Sequence, residues 1–221
     1  MGTEQSGLDD AEQMFALVGM AITTWGYVEE RLSEIFVVCA APIVVTSAGA
    51  PQIIYGQPQH IFFSMDNLWG RLSLIDAALN EKTSWAVDTG QAIRDKWKRL
   101  KEKTRKKSNK RNKLAHWNMH TEFMPESQKL QSRLVPTFGS HSYYSAIFSN
   151  DCSSSIKKAD LNQYIESFRK LANELDDFKM EILKNEELLE ESLQRLAGHI
   201  LLLRRSNPKA SERLNHLLTS Q

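Results

Sequence analysis

From Asp9 to about Ala41 the apolar residues Phe15, Val18, Ile22, Trp25, Val28, Leu32 and Ile35 recur at steps of three and four, with Phe36 beside the last. That period belongs to a long amphipathic helix, and Pro42 ends it. Such a stripe cannot be buried by one helix, so the chain must supply partners. The spacing predicts a second helix over about Gln59 to Leu79, carrying Phe62, Met65, Leu68, Leu72, Ile75 and Leu79. A third begins near Ser84, with Thr83 or Ser84 as its cap, and runs through Ile93, Trp97 and Leu100. A further helix, Ser155 to Leu183, is capped by Ser155 and carries Leu161, Tyr164, Ile165, Phe168, Leu171, Leu175, Phe178 and Ile182.

The sequence thus predicts an all-α fold with one irregular interruption. Residues 43–59, with Gly49, Pro51, Gly56 and Pro58, read as a connecting loop. Residues 118–150 hold Pro125, Pro136 and Gly139, with rough alternation at Leu130, Ser132, Leu134 and again from Ser142 to Phe148. They read as a β-hairpin or ordered loop inserted after the third helix. Residues 1–185 form the expected helical domain. Residues 186–221 form a C-terminal helical tail whose Leu188, Leu189, Leu193, Leu196, Ile200 and Leu203 either extend a dimer interface or bury against the bundle.

The charge is unevenly distributed. Lys96 to Lys113 holds eleven Lys or Arg against Glu102 alone, a local balance of +10 in a chain whose formal net charge is +1. From Glu174 to Glu191 the sign reverses, with eight acidic residues against Lys179 and Lys184. This acidic segment either lies near the basic helix and weakens its binding to a ligand, or forms a solvated helix face. Two cysteines, Cys39 and Cys152, make neither a disulfide framework nor a metal cage, and the six histidines show no metal-site spacing. The N-terminus carries Glu4, Asp9, Asp10 and Glu12 without an early cation, the reverse of a secretory signal. The most apolar stretch, Ile35 to Ile54, is broken by Pro42 and Pro51 and makes a poor membrane span. A soluble, cytoplasmic protein without a metal or cofactor is the expectation.

The basic run closes on Arg111-Asn112-Lys113-Leu114-Ala115-His116-Trp117. Arginine offers a planar fork of donors matched to phosphate oxygens, and histidine is the side chain suited to proton transfer in both directions near neutrality. Together these are the requirements of phosphodiester cleavage. On a regular helix Arg111 and His116 stand about 140° apart, so one helix does not aim both at one phosphate, whereas Asn112 and His116 share a face. His116 fits as general base on a ribose 2′-hydroxyl or as general acid for the 5′-oxygen, with Arg111 stabilising the pentavalent phosphorus and Asn112 orienting the imidazole. Lys103, Arg105, Lys106, Lys107, Lys110 and Lys113 are the candidate contacts to the RNA backbone. Trp117 is either a base-stacking platform or a core anchor. His120 is a weaker candidate for a second acid or base.

An Arg followed by a polar residue, with His five positions after the Arg, on a basic helix, resembles the HEPN superfamily. The likeness covers roughly residues 10–185 and includes Trp25 with Glu29-Glu30 on the first helix and the helix opening at Ala159-Asp160-Leu161. It implies an antiparallel helical bundle and metal-independent RNA cleavage to 2′,3′-cyclic phosphate and 5′-hydroxyl ends at a composite homodimer site. It further implies a toxin or antiviral effector held in check by an antitoxin or regulatory partner. One subgroup paired with a nucleotidyltransferase antitoxin carries Tyr two places after the His, where this chain has Asn118. The other expectation is a non-catalytic dimeric protein of the same type that binds nucleic acid or an acidic partner.

Overall fold

The long apolar period over the first forty residues forms helix α1, Thr3–Ala40. The computed structural model describes residues 3–41, 43–45, 51–53, 56–84, 86–137 and 155–185. Within them α1 is followed by strands β1 (Ile43–Val45) and β2 (Pro51–Ile53), then by helices α2 (Gly56–Ser64), α3 (Leu68–Thr83) and α4 (Val87–His116). The hairpin β3 (Asn118–Met124) and β4 (Lys129–Val135) comes next, and helix α5 (Lys158–Lys184) closes the series. The described residues are therefore mostly helical. They divide into two compact units, one of Met1–Leu32 with Trp97–Asp177, the other of Ser33–Lys96 with Phe178–Gln221.

In the first unit the core is built from Met14, Ala21, Trp25 and Val28 of α1, Trp97, Leu100 and Leu114 of α4, and Leu161, Ile165, Phe168 and Leu171 of α5. Trp25 meets Phe168 edge-on with ring centroids 5.1 Å apart, and Arg31 pairs with Asp176 at 3.5 Å. Lys103 and Lys110 of α4 reach Glu174 and Tyr164 of α5. These contacts make α1 and α5 parallel, with α4 antiparallel to both.

The phase of α1 differs from the sequence expectation at its N-terminal half. Trp25, Val28 and Leu32 fix the inward side, and stepping back at 3.6 residues per turn reaches Ala21 and Met14. Phe15 and Ile22, the larger side chains one position later, face outward. From Gln13 to Val28 there is no charged residue, and the outer side of this stretch leaves Phe15 61%, Met20 51% and Tyr27 54% exposed. Gly19 and Gly26, two turns apart, have open space where a Cβ would stand. A helix apolar all round is ordinarily covered on every side.

The hairpin pairs Asn118 with Val135 through to Met124 with Lys129. Its four-residue loop opens on Pro125, whose fixed φ suits a turn, and closes on Gln128 at φ 52°, in the left-handed region. The predicted alternation at Leu130, Ser132 and Leu134 thus belongs to β4, but its partner is β3. The other predicted run, Ser142 to Phe148, lies outside the described residues. Leu134 exchanges both backbone hydrogen bonds with Ile156 at 2.9 Å, which leads the chain into α5. There Asp160 accepts from the Lys157 backbone N at 2.9 Å, so α5 starts three residues after the expected Ser155 cap.

Asp10 ties these pieces together. Its carboxylate accepts from the Ser132 backbone N at 2.7 Å and pairs with Lys158 at the start of α5. Burial alone would raise its pKa, but the Lys158 and Ser132 bonds outweigh burial and hold the carboxyl below its ordinary value. The unfolded chain therefore takes up the proton first as pH falls, so this contribution is present above the ordinary aspartate value of 3.8 and is lost as pH drops through the native one. Asp10→Asn is expected to cost about 1–3 kcal/mol at neutral pH. Urea melts across pH should show that gap closing as pH falls below 3.8; a gap independent of pH would contradict the role given to the carboxylate.

In the second unit Ile35, Phe36 and Val38 of α1 form a core with Phe62, Leu72, Ile75, Leu79, Ile93, Phe178 and Ile182. The single helix expected over residues 59–79 is two helices, broken at Met65–Asn67. Asn67 ends the break as an N-cap, its side chain accepting from Gly70 N at 2.8 Å. The expected loop over residues 43–59 contains the short β1–β2 pair and the first residues of α2. At the start of α4, Arg94 Nη1 donates to both Thr83 O and Thr83 Oγ1 at 2.8 Å. A Cβ on Gly90 would stand 2.4 Å from that same Thr83 carbonyl, so the close approach requires glycine. The predicted C-terminal tail, residues 186–221, lies outside the described residues.

Candidate nucleic-acid interface

Helix α4 is unbroken from Val87 to His116, so its side chains can be sorted by angle at about 100° per residue. In the first unit they fall into three rows. The inward seam is Trp97, Leu100, Thr104, Lys107, Arg111 and Leu114, at alternating steps of three and four. Trp97, Leu100, Thr104 and Leu114 are buried, while Lys107 and Arg111 are half-buried. Thr104 satisfies its hydroxyl by donating to Leu100 O at 2.8 Å. The seam is thus apolar at both ends and cationic between.

About 110° round the helix from the seam runs a second row, Arg99, Lys103, Lys106, Lys110 and Lys113. It places a cation roughly every 5 Å over about 21 Å of helix. A shallow basic concavity of about 440 Å³ at its start is lined by Lys98, Arg99, Glu102, Lys103 and Lys106. The third row is Arg105, Asn109, Asn112 and His116, all exposed.

The motif residues therefore separate. Arg111 lies on the seam, and His116 lies about 140° away on the exposed polar row with Asn112 one turn before it. Among the described residues no side chain hydrogen-bonds or ion-pairs with those of Arg111, Asn112 or His116. The imidazole is not packed into the core. Its main chain is held from both sides: Trp117 N donates to Lys113 O at 2.9 Å, and Thr137 Oγ1 donates to His116 O at 2.7 Å.

The candidate backbone contacts have partners within the protein. Lys103 Nζ donates to both Glu174 oxygens at 2.5 and 2.6 Å, while Arg105 and Lys106 pair with Glu102 at 3.3 and 3.8 Å. The two Glu102 pairs are exposed, and such pairs contribute little and yield readily to a competing anion, whereas the Lys103–Glu174 pair is part-buried. Lys107 feels burial first, then the like charges of Lys103, Lys110 and Lys170, with Glu174 opposing; its ammonium pKa is lowered. Lys110 Nζ stands 4.5 Å over the Tyr164 ring, and Lys113 Nζ 5.0 Å over the ring of Trp117, which is half-buried. In the second unit Lys96 pairs with Glu181. Acidic residues of α5 thus pair with cations of α4 in each unit.

Other candidates fall away from the motif. His120 on β3 lies 4.0 Å from Glu122, whose carboxylate also accepts from Arg133 Nη2 at 2.9 Å. Glu29 accepts from the Trp25 indole at 2.8 Å, which gives it a role in fixing that ring. Burial pushes the Cys39 thiol up to about 12, with the Lys82 charge opposing, so it is not a ready nucleophile. His60 is exposed on α2, and His141, His199, His216 and Cys152 lie outside the described residues. No group of three or more His, Cys, Asp or Glu that could hold a metal ion occurs among the described residues. None of the described helices is long and apolar enough to cross a membrane.

No family model, curated protein or solved structure matches this chain. Tyr164 and Lys170 of α5 are the neighbours that sequence reasoning missed. Tyr164 fits the apolar stripe of α5, and only the antiparallel placement of α4 brings a lysine over its ring.

Proposed function

We propose that this chain is a HEPN-type endoribonuclease that cleaves RNA, without a metal, to 2′,3′-cyclic phosphate and 5′-hydroxyl ends. The observation that carries the reading is an exposed imidazole at the end of a fixed helix, with an amide one turn below it and a row of five cations on a neighbouring face. His116 exchanges a proton with the ribose 2′-hydroxyl or the leaving 5′-oxygen, and Arg111 stabilises the charge that develops on phosphorus. The cationic row holds the backbone through contacts that weaken with salt.

The divergence of Arg111 and His116 supports a site completed by a second copy. A two-fold axis sets His116 of one protomer against the Arg111 side chain of its partner, which the half-buried middle of the seam leaves partly exposed. The uncharged outer side of α1 is a suitable self-association face: it carries no like charges to repel its own copy, and Gly19 and Gly26 allow close approach. Phe15 lies at the same end of the unit as the motif, since Asp10 is tied to Lys158 and Lys110 to Tyr164 in the first turns of α5. An activity of this kind, acting on RNA in the cytoplasm, suits a toxin or antiviral effector restrained by an antitoxin or other regulatory partner.

A second reading is a non-catalytic dimeric binding protein. Its support is Arg111 itself, which stands in line with core positions of α4 and serves there as a seam residue. RNA incubated with the protein in EDTA separates the two. Cleavage with cyclic-phosphate ends, lost in His116→Ala at unchanged fold, is the expected result. RNA left whole across substrates and salt concentrations removes the enzyme reading.

A further inference from the structure

At the His116 end of the cationic row, two successive members each cover an aromatic ring: Lys110 over Tyr164 and Lys113 over Trp117. The rings come from different parts of the chain, Tyr164 from α5 and Trp117 from the residue after α4. Both are half-buried, so each remains partly accessible to solvent. Tyr164 rests against Phe168 in a tilted contact, ring centroids 6.3 Å apart, which anchors it to the core. A lysine over an exposed ring gains a modest cation–π attraction. The same ammonium gains more from a phosphate, and the same ring gains more from a nucleobase.

Building on the RNA-binding reading above, we propose that Tyr164 and Trp117 are two stacking positions for unpaired bases of single-stranded RNA. Lys110 and Lys113 act as lids: each leaves its ring for the phosphate of the incoming nucleotide, and the base takes the vacated face. Tyr164 is then a specificity-determining residue that selects unpaired RNA, because bases inside a duplex are already stacked and cannot offer a face. Burial, and then the charge of Asp160, raise the pKa of the Tyr164 hydroxyl, consistent with a neutral phenol presenting its ring.

The test measures binding of a labelled single-stranded 12-mer and a duplex of the same length, using the full chain carrying His116→Ala so that neither is cut. Tyr164→Leu is expected to weaken single-strand binding by between about fivefold and 150-fold while leaving duplex binding unchanged. The salt dependence should keep its slope, since no phosphate contact is lost, and Tyr164→Phe should bind within about twofold of the parent. Lys110→Gln should weaken both ligands and reduce the slope by about one. RNA should also quench indole fluorescence in the parent but not in Trp117→Phe, a readout that stands if Tyr164→Leu fails to fold. Single-strand binding unchanged in Tyr164→Leu, or a quench that survives Trp117→Phe, overturns the stacking proposal while the backbone reading stands. A parent protein that binds neither ligand at low salt overturns both.

Discussion

Arg111→Ala and His116→Ala chains, each inactive alone, are expected to regain about a quarter of wild-type cleavage when unfolded, mixed and refolded together. On a regular α4 the two side chains diverge by about 140°, so the proposed site takes its arginine from one protomer and its histidine from the other. Random pairing puts about half of the dimers in the mixed form, and in each mixed dimer one of two sites keeps both wild-type residues. A site drawn from one chain gives a different result, because every site in every dimer then lacks one residue and the mixture stays inactive. Breaking the dimer is the complementary measurement. Phe15→Glu with Ile22→Glu places charges on the uncharged outer side of α1, and sedimentation should report a monomer that retains its fold and loses cleavage. Full activity in that monomer would rule out a shared site.

The largest loss of stability is expected from Phe168→Ala. The ring is fully buried, meets Trp25 at 5.1 Å in edge-on geometry and supports Tyr164 at 6.3 Å. Removing it forfeits the transfer energy of the ring and opens a cavity between α1 and α5, at a cost of about 3–5 kcal/mol. Domains of this kind have roughly 5–15 kcal/mol in all, so about a fifth or more of the total is at stake. Urea unfolding should show a lowered midpoint at unchanged slope. Phe168→Leu, which keeps much of the volume, should cost far less, about 1.5 kcal/mol or below. A loss under about 1 kcal/mol for the alanine variant would mean that the helices close over the gap.

Much of the helical framework was legible because burial along α4 and α5 follows the apolar period: Trp97, Leu100, Leu161, Phe168 and Phe178 all lie inside as the spacing predicts. The reading of α1 slipped by one residue at Phe15 and Ile22 because it followed side-chain size instead of phase. The inward residues Ala21 and Met14 carry the phase, and the small Ala21 at a buried position is hard to see beside the larger Ile22, as Met14 is beside Phe15. The α2–α3 break was missed although Asp66-Asn67 is a strong capping signal, because the apolar steps continue across it. The motif and the basic run were legible since both are contiguous. Their division into three faces follows from counting turns, but the Glu174 and Tyr164 partners required a second helix in place.

The hairpin has a consequence for His116 that extends beyond topology. Chain leaving this residue travels out along β3, returns along β4 and fastens by Thr137 to the carbonyl of the residue where it set out. The imidazole is therefore mounted on a closed covalent and hydrogen-bonded circuit, with only its own two side-chain torsions left to settle. For the proposed base, the backbone freedom that would otherwise be lost on meeting its substrate has already been lost in folding.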